Sequence, residues 1–365
     1  MNLLRRTLES AREASLHYGY IVHYALKANF EERILECIRQ YGFGIDAVSG
    51  NEVKYAIEHG FPASSIAYAG VGKSDREIRY AIEQGIFAFN CESRQELEVI
   101  NAFAAEMGKV ADVALRINPD VDPMTHKHIS TGQADSKFGI SYQEIDELCN
   151  ELDSMHNIRI TGLHFHVGSQ VGELKVFEYL CKRVNTLYEW FRDRGFNFTQ
   201  LNMGGGLAVE YKHPDNQPIP DFAAYCDIFH VHLRVDPSLE IHFELGRSLV
   251  AQCGELISRV MFNKVTSGGK NVALLDASMT ELLRPALYQA RHAIENLEGD
   301  GRDEKMYTIG GTVCESSDTF VIDKTLPELH RGDLVAIKTA GAYGSAMASR
   351  YNLHDLPRSV YWEER

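Results

Sequence analysis

The stretch Tyr24-Ala25-Leu26-Lys27-Ala28-Asn29 decides the fold, because a strand ends and a helix begins within it. The residues before it, 21–24, are β-branched and aromatic, which is typical of a strand. Residues 30–40 after it carry apolar side chains at helical spacing. Lys27 therefore lies at a strand-to-helix junction, which is the position where (β/α) barrels build their active sites.

The Lys27 amine has two interpretations at such a junction. At the mouth of an apolar barrel, desolvation is expected to lower the pKa of the ammonium group, since burial disfavours the charged form. A neutral amine can then condense with an aldehyde to form a Schiff base. The alternative is a solvated lysine at the end of a strand, and position alone favours that alternative. The choice depends on residues further along the chain.

The composition indicates an ordinary globular protein and excludes several classes of partner. Of the 365 residues, 44% are hydrophobic and 24% are charged, and the formal net charge is −14. This charge argues against nucleic acid and anionic membrane surfaces as partners. No apolar run is long enough to span a bilayer, and no secretory signal is expected. The seven cysteines are scattered without a CxxC pair, so we expect a cytoplasmic protein without structural zinc.

Short apolar runs alternate with amphipathic stretches along the first two thirds of the chain. The predicted strands are residues 21–24, 44–47, 66–69, 87–90, 113–117, 160–166, 200–202 and 241–243. The predicted helices are residues 2–18, 30–40, 51–59, 75–84, 94–107, 143–152, 176–194 and 222–231. Eight strand-helix repeats predict an α/β fold, a (β/α)₈ TIM-like barrel, over residues 1–250.

From about Val250 the pattern changes to that of a second domain. Strand-like runs at residues 256–260, 272–274 and 335–337 are separated by glycine-rich turns. This pattern predicts a mostly antiparallel β-domain over residues 251–365, with a helical insertion at residues 280–292.

The sixth predicted strand ends in His164-Phe165-His166, followed by Ser169. Strand alternation puts the two histidines on one face. They could bind a metal, but no matching ligand cluster follows the other strands, so we predict no metal site. Alternatively, the flat imidazole of His166 lies against a flat cofactor ring while Ser169 donates to a phosphate.

Glycine-containing loops follow the seventh and eighth predicted strands, where this barrel usually binds phosphate. The first contains Gly204-Gly205-Gly206, whose backbone can approach a phosphate closely, although a flexible turn is the alternative. The second contains Glu244-Leu245-Gly246-Arg247. A carboxylate at Glu244 could keep a pyridine nitrogen protonated, and a Glu244–Arg247 ion pair is the alternative.

In the second domain, Cys314-Glu315 and Gly341-Ala342-Tyr343-Gly344 are polar or glycine-flanked stretches. An isolated cysteine is more often a buried hydrophobic residue than a proton donor. Arg284 and Tyr288 are four residues apart and would share one helix face.

Together these stretches resemble the pyridoxal-phosphate-dependent decarboxylases of fold type III, and within them the diaminopimelate decarboxylases. The resemblance extends in the family's order over residues 24–352. Further family-type stretches lie at residues 44–52, 125–132, 137–140, 279–288 and 341–352.

The resemblance implies a function for each candidate residue. It implies that Lys27 holds pyridoxal 5'-phosphate covalently and that Cys314, from the other subunit of a homodimer, protonates the carbanion. The catalytic residues would be Lys27, His166 and Cys314. The residues implied for the cofactor are Lys27, His166, Ser169, Gly205, Gly206, Glu244, Gly246, Arg247 and Tyr343. Those implied for the substrate are Arg247, Arg284, Tyr288, Glu315 and Tyr343.

The expected substrate is meso-2,6-diaminopimelate, whose far end carries a carboxylate that arginines bind bidentately. The expected reaction is its decarboxylation to L-lysine, the last step of lysine biosynthesis. Sister decarboxylases of carboxynorspermidine, ornithine or arginine are the alternative, followed by a non-catalytic cofactor-binding homologue. The family also has an N-terminal strand before the first barrel helix, and without it we expect one bare edge in the β-domain.

Overall fold

Eight parallel strands close into a barrel in which each strand pairs with the next and the eighth returns to the first. The computed structural model describes residues 1–121 and 137–363, so the family-type stretch at residues 125–132 lies outside the described residues. The strands are β1 (Ile21–Ala25), β2 (Gly44–Ala47), β3 (Ile66–Tyr68), β4 (Ala88–Cys91), β5 (Ala111–Arg116), β6 (Ile158–His164), β7 (Gln200–Asn202) and β8 (Glu240–Leu245).

Helices follow the strands around the barrel, and α1 (Asn2–His17) precedes β1. They are α2 (Glu32–Gln40), α3 (Gly50–Glu58), α4 (Asp75–Gln84), α5 (Arg94–Glu106), α6 (Ile145–Leu152), α7 (Lys175–Arg192) and α8 (Phe222–His232). The predicted (β/α)₈ fold is therefore confirmed. None of the helices in the described residues combines the length and apolar content that a bilayer crossing requires.

Serine caps start two of these helices immediately beyond strand ends. The side chain of Ser49 accepts a hydrogen bond from the backbone N–H of Glu52, and Ser93 does the same for Glu96. Each cap accepts a hydrogen bond from one of the backbone N–H groups in the first helical turn that have no partner within the helix. The turns after β2 and β4 are consequently short, and they hold the strand ends at the rim.

The chain forms two compact units, which we call the barrel unit and the β-unit. The barrel unit comprises the described residues of Leu8–Ala208 together with Asp221–Arg247. The β-unit comprises Met1–Thr7, Val209–Pro220 and the described chain from Ser248 onward. A short helix, α9 (Arg247–Val250), begins where β8 ends.

The β-unit contains a six-stranded sheet in the order β11-β14-β9-β10-β12-β13. Its strands are β9 (Leu256–Val265), β10 (Asn271–Leu275), β11 (Ile294–Asn296), β12 (Glu304–Gly310), β13 (Thr319–Pro327) and β14 (Leu334–Ile337). Only the β10–β12 pair is parallel among the pairs of this sheet, which confirms the mostly antiparallel prediction. Its core includes Val260, Leu275, Ile309, Phe320 and Ile337.

The helix predicted over residues 280–292 is much shorter in the structure. It is α10 (Arg284–Tyr288), with Pro285 in its first turn. Gln289 ends it in the left-handed conformation, with φ of 53°. The prediction of a thirteen-residue helix was wrong in extent. Proline is favoured in the first turn of a helix and disfavoured in its interior, so the helix begins next to Pro285. The left-handed conformation of Gln289 then ends it.

Two histidines are buried in the barrel below its rim. His23 on β1 and His242 on β8 are 2% and 1% exposed, and 2.9 Å separates His23 Nε2 from His242 Nδ1. His23 Nδ1 lies 3.2 Å from the carbonyl oxygen of Ser65. A carbonyl only accepts, so His23 Nδ1–H donates to it and His23 Nε2 accepts from His242. His23 is therefore neutral, and His242 donates through Nδ1 while its Nε2 lies 3.4 Å from Glu240 Oε2.

We expect this histidine pair to make the fold sensitive to acid. Burial lowers the pKa of His23, and burial together with the neighbouring His23 lowers the pKa of His242 to about 3. Below pH of about 6.5 the unfolded chain therefore binds protons that the folded chain does not, and stability falls as pH drops toward the folded pKa. For His242 this loss is about 2 kcal/mol between pH 7 and pH 5.

His242→Phe should accordingly lose less Tm between pH 7 and pH 5 than the wild-type protein does. Thermal unfolding followed by circular dichroism at both pH values measures the difference. His156→Phe, at an exposed histidine, is the control and should keep the wild-type pH dependence. An equal loss of Tm in His242→Phe and wild type would contradict the prediction.

Candidate active site

Buried polar side chains line the rim of the barrel at the carboxyl ends of six strands. Each belongs to the last or second-last residue of its strand, and all are at most 6% exposed. Because the strands are parallel, their carboxyl ends meet at one end of the barrel. Buried polar groups are costly unless they have partners, and each of the six has one: four form a hydrogen-bonded network, and the other two form ion pairs outside it. They are Asp46, Asn90, Arg116, His164, Asn202 and Glu244.

The Glu244 carboxylate lies at the centre of this network and accepts three side-chain hydrogen bonds. Asn90 Nδ2 and Asn202 Nδ2 donate to its Oε1, over 2.9 Å and 2.8 Å. His164 Nε2 donates to its Oε2 over 3.0 Å. His164 is therefore a hydrogen-bond donor to the Glu244 carboxylate. The alternative that Glu244 pairs with Arg247 has no support in these contacts.

Glu244 stays ionised although it is buried. Burial by itself would raise the pKa of this carboxyl, but His164, through its charge and its hydrogen bond, and then Lys27 hold the pKa well below its usual range. The result is a fixed negative charge at the barrel rim, held by donors on β4, β6 and β7.

Lys27 lies just after β1, in a single helical turn over Leu26–Ala28. Its Nζ donates to Asp46 Oδ2 over 2.8 Å, and the Asp46 side chain is fully buried. Burial, followed by the charge of Glu244, raises the pKa of Asp46 to about 6, although Lys27 opposes the shift. The Asp46 carboxyl can therefore take up a proton near neutral pH. The partner Asp46 was not predicted from the sequence.

The glycine loop after β7 is joined to both Glu244 and His166. Gly204 N–H donates to Asn202 Oδ1 over 2.9 Å, and Gly205 N–H donates to His166 Nδ1 over 3.1 Å. A Cβ at Gly205 would lie 1.9 Å from the carbonyl oxygen of Glu244, so no larger residue fits there. The loop is thus packed against β8, which argues against a flexible turn.

His166 remains neutral because of its surroundings. Burial lowers the pKa of this ring to about 3, and the charges of Arg116 and Lys27 add to the shift. Since its Nδ1 accepts from Gly205, the proton of the neutral ring is on Nε2.

Arg247 and Ser169, which follow β8 and β6, are joined by two hydrogen bonds. Arg247 Nε and Nη2 donate to Ser169 Oγ over 3.1 Å and 3.0 Å. Gly246, beside Arg247, is in close contact with β1, since a Cβ there would lie 2.9 Å from that of Ala25. A guanidinium, a hydroxyl and backbone N–H groups at helix starts are the usual partners of phosphate.

Arg116 and Glu92 are a buried ion pair that sequence reasoning missed. Arg116 Nη1 lies 2.5 Å from Glu92 Oε1, and Gly139 N–H donates to Glu92 Oε2 over 2.8 Å. The Arg116 guanidinium also lies over the ring of Phe138, 4.9 Å from its centroid. The pair thus connects β5 to the residues that follow the undescribed segment.

In the β-unit, Arg284 and Tyr288 occupy the first and last positions of α10, on one face as predicted. Arg284 is 5% exposed, and its Nη1 donates to His292 Nε2 over 2.9 Å. Tyr288 is partly buried.

Cys314 and Glu315 lie in a turn after β12, and Cys314 is exposed. The turn is held by Asp318, whose carboxylate accepts from the N–H groups of Val313 and Met279, each over 2.7 Å. Glu315 Oε1 accepts from the hydroxyl of Tyr351 over 2.5 Å. Tyr343 is partly buried in a left-handed conformation, with φ of 58°. The expectation of a buried cysteine, weighed for this position, does not hold.

The predicted residues therefore fall into two groups, one in each unit. The barrel unit unites Lys27, His166, Ser169, Gly205, Gly206, Glu244, Gly246 and Arg247 at one rim. The β-unit carries Arg284, Tyr288, Cys314, Glu315 and Tyr343. The assignment of roles within either group stays a prediction.

A sequence model of the pyridoxal-dependent decarboxylases, in its pyridoxal-binding domain, matches residues 2–251. The chain belongs to this decarboxylase family. A diaminopimelate decarboxylase of Bacteroides thetaiotaomicron is 47% identical over 363 residues, which are 99% of this chain and 94% of that protein. One from Aquifex aeolicus is 38% identical and covers 99% of this chain and 85% of its own length.

A solved decarboxylase structure agrees with the fold. The diaminopimelate decarboxylase of Helicobacter pylori, complexed with L-lysine, superposes with a TM-score of 0.86 and 36% identity. The superposition covers 94% of this chain and 87% of that one. The barrel followed by a β-domain is thus the architecture of this decarboxylase family.

The barrel rim fits the pyridoxal group that the family name implies. A carboxylate has about four acceptor positions, and the described side chains that donate to Glu244 are Asn90, Asn202 and His164. It therefore retains capacity for a further donor such as a protonated ring nitrogen. Lys27 supplies an amine, and Arg247 with Ser169 suits a phosphate.

Proposed function

We propose that this protein decarboxylates meso-2,6-diaminopimelate to L-lysine and CO₂ with pyridoxal 5'-phosphate as its cofactor, as the last step of lysine biosynthesis. The observation that carries the proposal is the buried, ionised carboxylate of Glu244 at the rim that also bears Lys27. The relatives reported above, which are named diaminopimelate decarboxylases over nearly the whole chain, support the same choice of substrate.

The residues of the barrel unit would hold the cofactor. Lys27 would bind it through its amine, Glu244 would keep a proton on the pyridine nitrogen, and His166 would lie against the ring. The phosphate would be held by Arg247 and Ser169 with the backbone of Gly205, Gly206 and Gly246. When bound, pyridoxal phosphate supplies an electron sink for the electron pair that departing CO₂ leaves on carbon.

Each protein group then has a separate task. The fixed charge of Glu244 favours the protonated ring without having to reorganise, since its donors already hold it in place. Asp46, whose pKa is about 6, would receive and return the proton of the Lys27 amine. The Cys314 thiol would return a proton to the carbon that has lost CO₂.

Residues of the β-unit, together with Arg247 of the barrel unit, would recognise the end of the substrate that does not react. That end carries an ammonium and a carboxylate. Arg284 and Arg247 would bind the carboxylate, Tyr288 and Tyr343 would add hydrogen bonds, and Glu315 would pair with the ammonium. Buried donors that require a carboxylate also reject amines that lack one, because the donors would lose their partner.

The decisive experiment follows cofactor and substrate together. Purified protein supplied with pyridoxal phosphate should absorb visible light, and meso-diaminopimelate should change the spectrum and release CO₂. Ornithine, arginine and carboxynorspermidine are assayed beside it. Colourless protein, or faster CO₂ release from one of these amines, would overturn the proposal.

Arg284→Ala should raise KM for meso-diaminopimelate by about tenfold or more, since a charge-assisted hydrogen bond contributes about 1.5–3 kcal/mol. Cofactor affinity should stay within about twofold, because Arg284 is not among the residues expected to hold the cofactor. Steady-state kinetics and cofactor titration measure the two quantities. Arg291→Ala, at an exposed arginine seven residues further on, is the control. An unchanged KM in Arg284→Ala would count against the substrate assignment.

We also propose that the active unit is a homodimer, in which Lys27 of one subunit works with Cys314 and Tyr343 of the other. The exposure of Cys314 supports a role outside the core of its own unit. Sedimentation equilibrium tests the proposal, and an active monomer would refute it. The cytoplasmic location stays a prediction, which cell fractionation tests.

A further inference from the structure

The guanidinium of Arg284 is held by an imidazole inside the β-unit. Arg284 Nη1 lies 2.9 Å from His292 Nε2, and His292 Nδ1 lies 2.8 Å from the carbonyl oxygen of Lys338. Arg284 and His292 are 5% and 6% exposed. Eight residues separate them in the sequence, and α10 ends between them.

The partners of His292 determine where its proton is. A guanidinium can only donate and a carbonyl can only accept. His292 Nδ1 must therefore carry the proton that it donates to Lys338, and His292 Nε2 must be the bare nitrogen that accepts from Arg284. The ring is neutral, and both of its nitrogens are used.

The frame around this pair is rigid. Ala293 N–H donates to the carbonyl of Tyr211 over 3.0 Å, and Lys338 N–H donates to the carbonyl of Ala293 over 2.9 Å. The Tyr211 ring contacts both members of the pair, with its centroid 4.5 Å from Arg284 Cζ and 5.0 Å from the His292 ring. The backbone at Ala293, directly after His292, is thus fixed by two hydrogen bonds, and the guanidinium of Arg284 rests on an aromatic face.

A neutral acceptor has a different consequence from a carboxylate at the same place. A carboxylate partner would cancel the charge of the guanidinium and compete with an anionic ligand. His292 orients one arm of Arg284 and adds no negative charge. The side-chain rotamer of Arg284 is thus selected before a ligand arrives, and His292 itself brings no charge that would compete with a carboxylate.

We propose that His292 is a positioning residue that presents Arg284 to the carboxylate at the non-reacting end of the substrate. This inference rests on the proposed function and assigns His292 a part in its substrate selectivity. His292 acts only through Arg284 and touches no reacting atom.

The chemistry of the reaction provides ligands that isolate this carboxylate. Loss of CO₂ from one end of meso-diaminopimelate leaves L-lysine, whose single carboxylate is the one at the other end. Cadaverine has the same chain and both amines but no carboxylate. A defect in the presentation of Arg284 should therefore weaken L-lysine binding and leave cadaverine binding unchanged.

Two substitutions separate the two hydrogen bonds of His292. His292→Asn places an amide near the Nδ1 position, which retains a donor for Lys338 but removes the acceptor for Arg284. His292→Gln reaches the Nε2 position, which retains the acceptor for Arg284. The holoenzyme forms of both variants are compared by steady-state kinetics, by calorimetric titration with L-lysine and cadaverine, and by thermal unfolding.

His292→Asn should raise KM for meso-diaminopimelate and Kd for L-lysine about tenfold, the factor that 1.4 kcal/mol represents. Its kcat and its Kd for cadaverine should stay within about threefold of wild type, whereas His292→Gln should keep all four values within that range. Unchanged KM and L-lysine affinity in His292→Asn would overturn the inference. If His292→Asn does not fold, a tenfold rise of KM in His292→Gln would overturn it instead.

A double-mutant cycle with Arg284→Met distinguishes positioning from a general structural role. If His292 acts through Arg284, adding His292→Asn to Arg284→Met should change KM by less than about twofold. Additive effects would show that His292 only supports the fold. A wild-type protein that releases no CO₂ from meso-diaminopimelate would refute the proposed function, whereas an active wild type with an unaffected His292→Asn would refute only this inference.

Discussion

Lys27→Arg is expected to give a folded protein whose kcat/KM for meso-diaminopimelate is lower by about 10³-fold or more. Losses of this size are typical when a covalent catalytic residue is removed. Arginine keeps a cation opposite Asp46, whose side chain is fully buried. A guanidinium is never deprotonated in a protein, so it cannot act as the nucleophilic amine. The substitution therefore removes the covalent chemistry and retains the charge.

The choice of arginine matters because alanine would change two things at once. Lys27→Ala would leave the buried Asp46 carboxyl without the cation that it contacts at 2.8 Å, which would destabilise the fold as well as remove the amine. CO₂ release, the visible spectrum and Tm are measured for Lys27→Arg, with Lys54→Arg on the exposed face of α3 as the control. Activity within about tenfold of wild type would remove Lys27 from the mechanism.

Glu244→Gln is expected to lower kcat by about 10²–10³-fold, the loss typical for removal of a preorganised electrostatic group. Glutamine has nearly the same volume, so the packing of β8 is kept. Its amide has one acceptor oxygen where Glu244 receives donors on both oxygens. The amide N–H₂ would therefore face a donor unless His164 changes its tautomer, and the negative charge that favours a protonated ring is gone.

The second control lies on the same strand. Glu240 begins β8, and its side chain is 59% exposed. Glu240→Gln should leave kcat unchanged, whereas Glu244→Gln should also shift the visible spectrum of the bound cofactor. A normal spectrum with normal kcat in Glu244→Gln would mean that this carboxylate has no part in the chemistry.

The barrel strands could be predicted because each is a short apolar run between polar turns. Every predicted strand overlaps an observed one, and β2 and β7 agree at both ends. The Lys27 junction was also correctly located, at the end of β1. Hydrophobic pattern and chain length were sufficient for this part of the fold.

The partners inside the site could not be predicted in the same way. Asp46 and Asn90 are single polar residues within buried strands, and Asn202 is the last residue of a three-residue strand. Their contacts with Lys27 and Glu244 span 19, 154 and 42 residues. Only the closed barrel brings them together. A usable signal existed, since a lone polar residue at the last or second-last position of an apolar strand marks the rim.

The roles of Arg284 and Cys314 came from resemblance to the decarboxylases. Helical spacing put Arg284 and Tyr288 on one face, but the pairing of Arg284 with His292 depends on the stop at Gln289. A left-handed residue of that kind is not recognisable from a glutamine in a sequence.

The β-unit is assembled from three separate pieces of the chain, since Met1–Thr7 and Val209–Pro220 belong to it together with the residues from Ser248 onward. During translation, β1 to β8 are therefore synthesised before the last and largest piece of the β-unit. Protein engineers who wish to exchange this unit between relatives cannot use one crossover point near residue 250. A chimera has to take all three pieces from the same parent, including the inserted loop between β7 and α8. Otherwise its β-unit will combine segments from two different proteins.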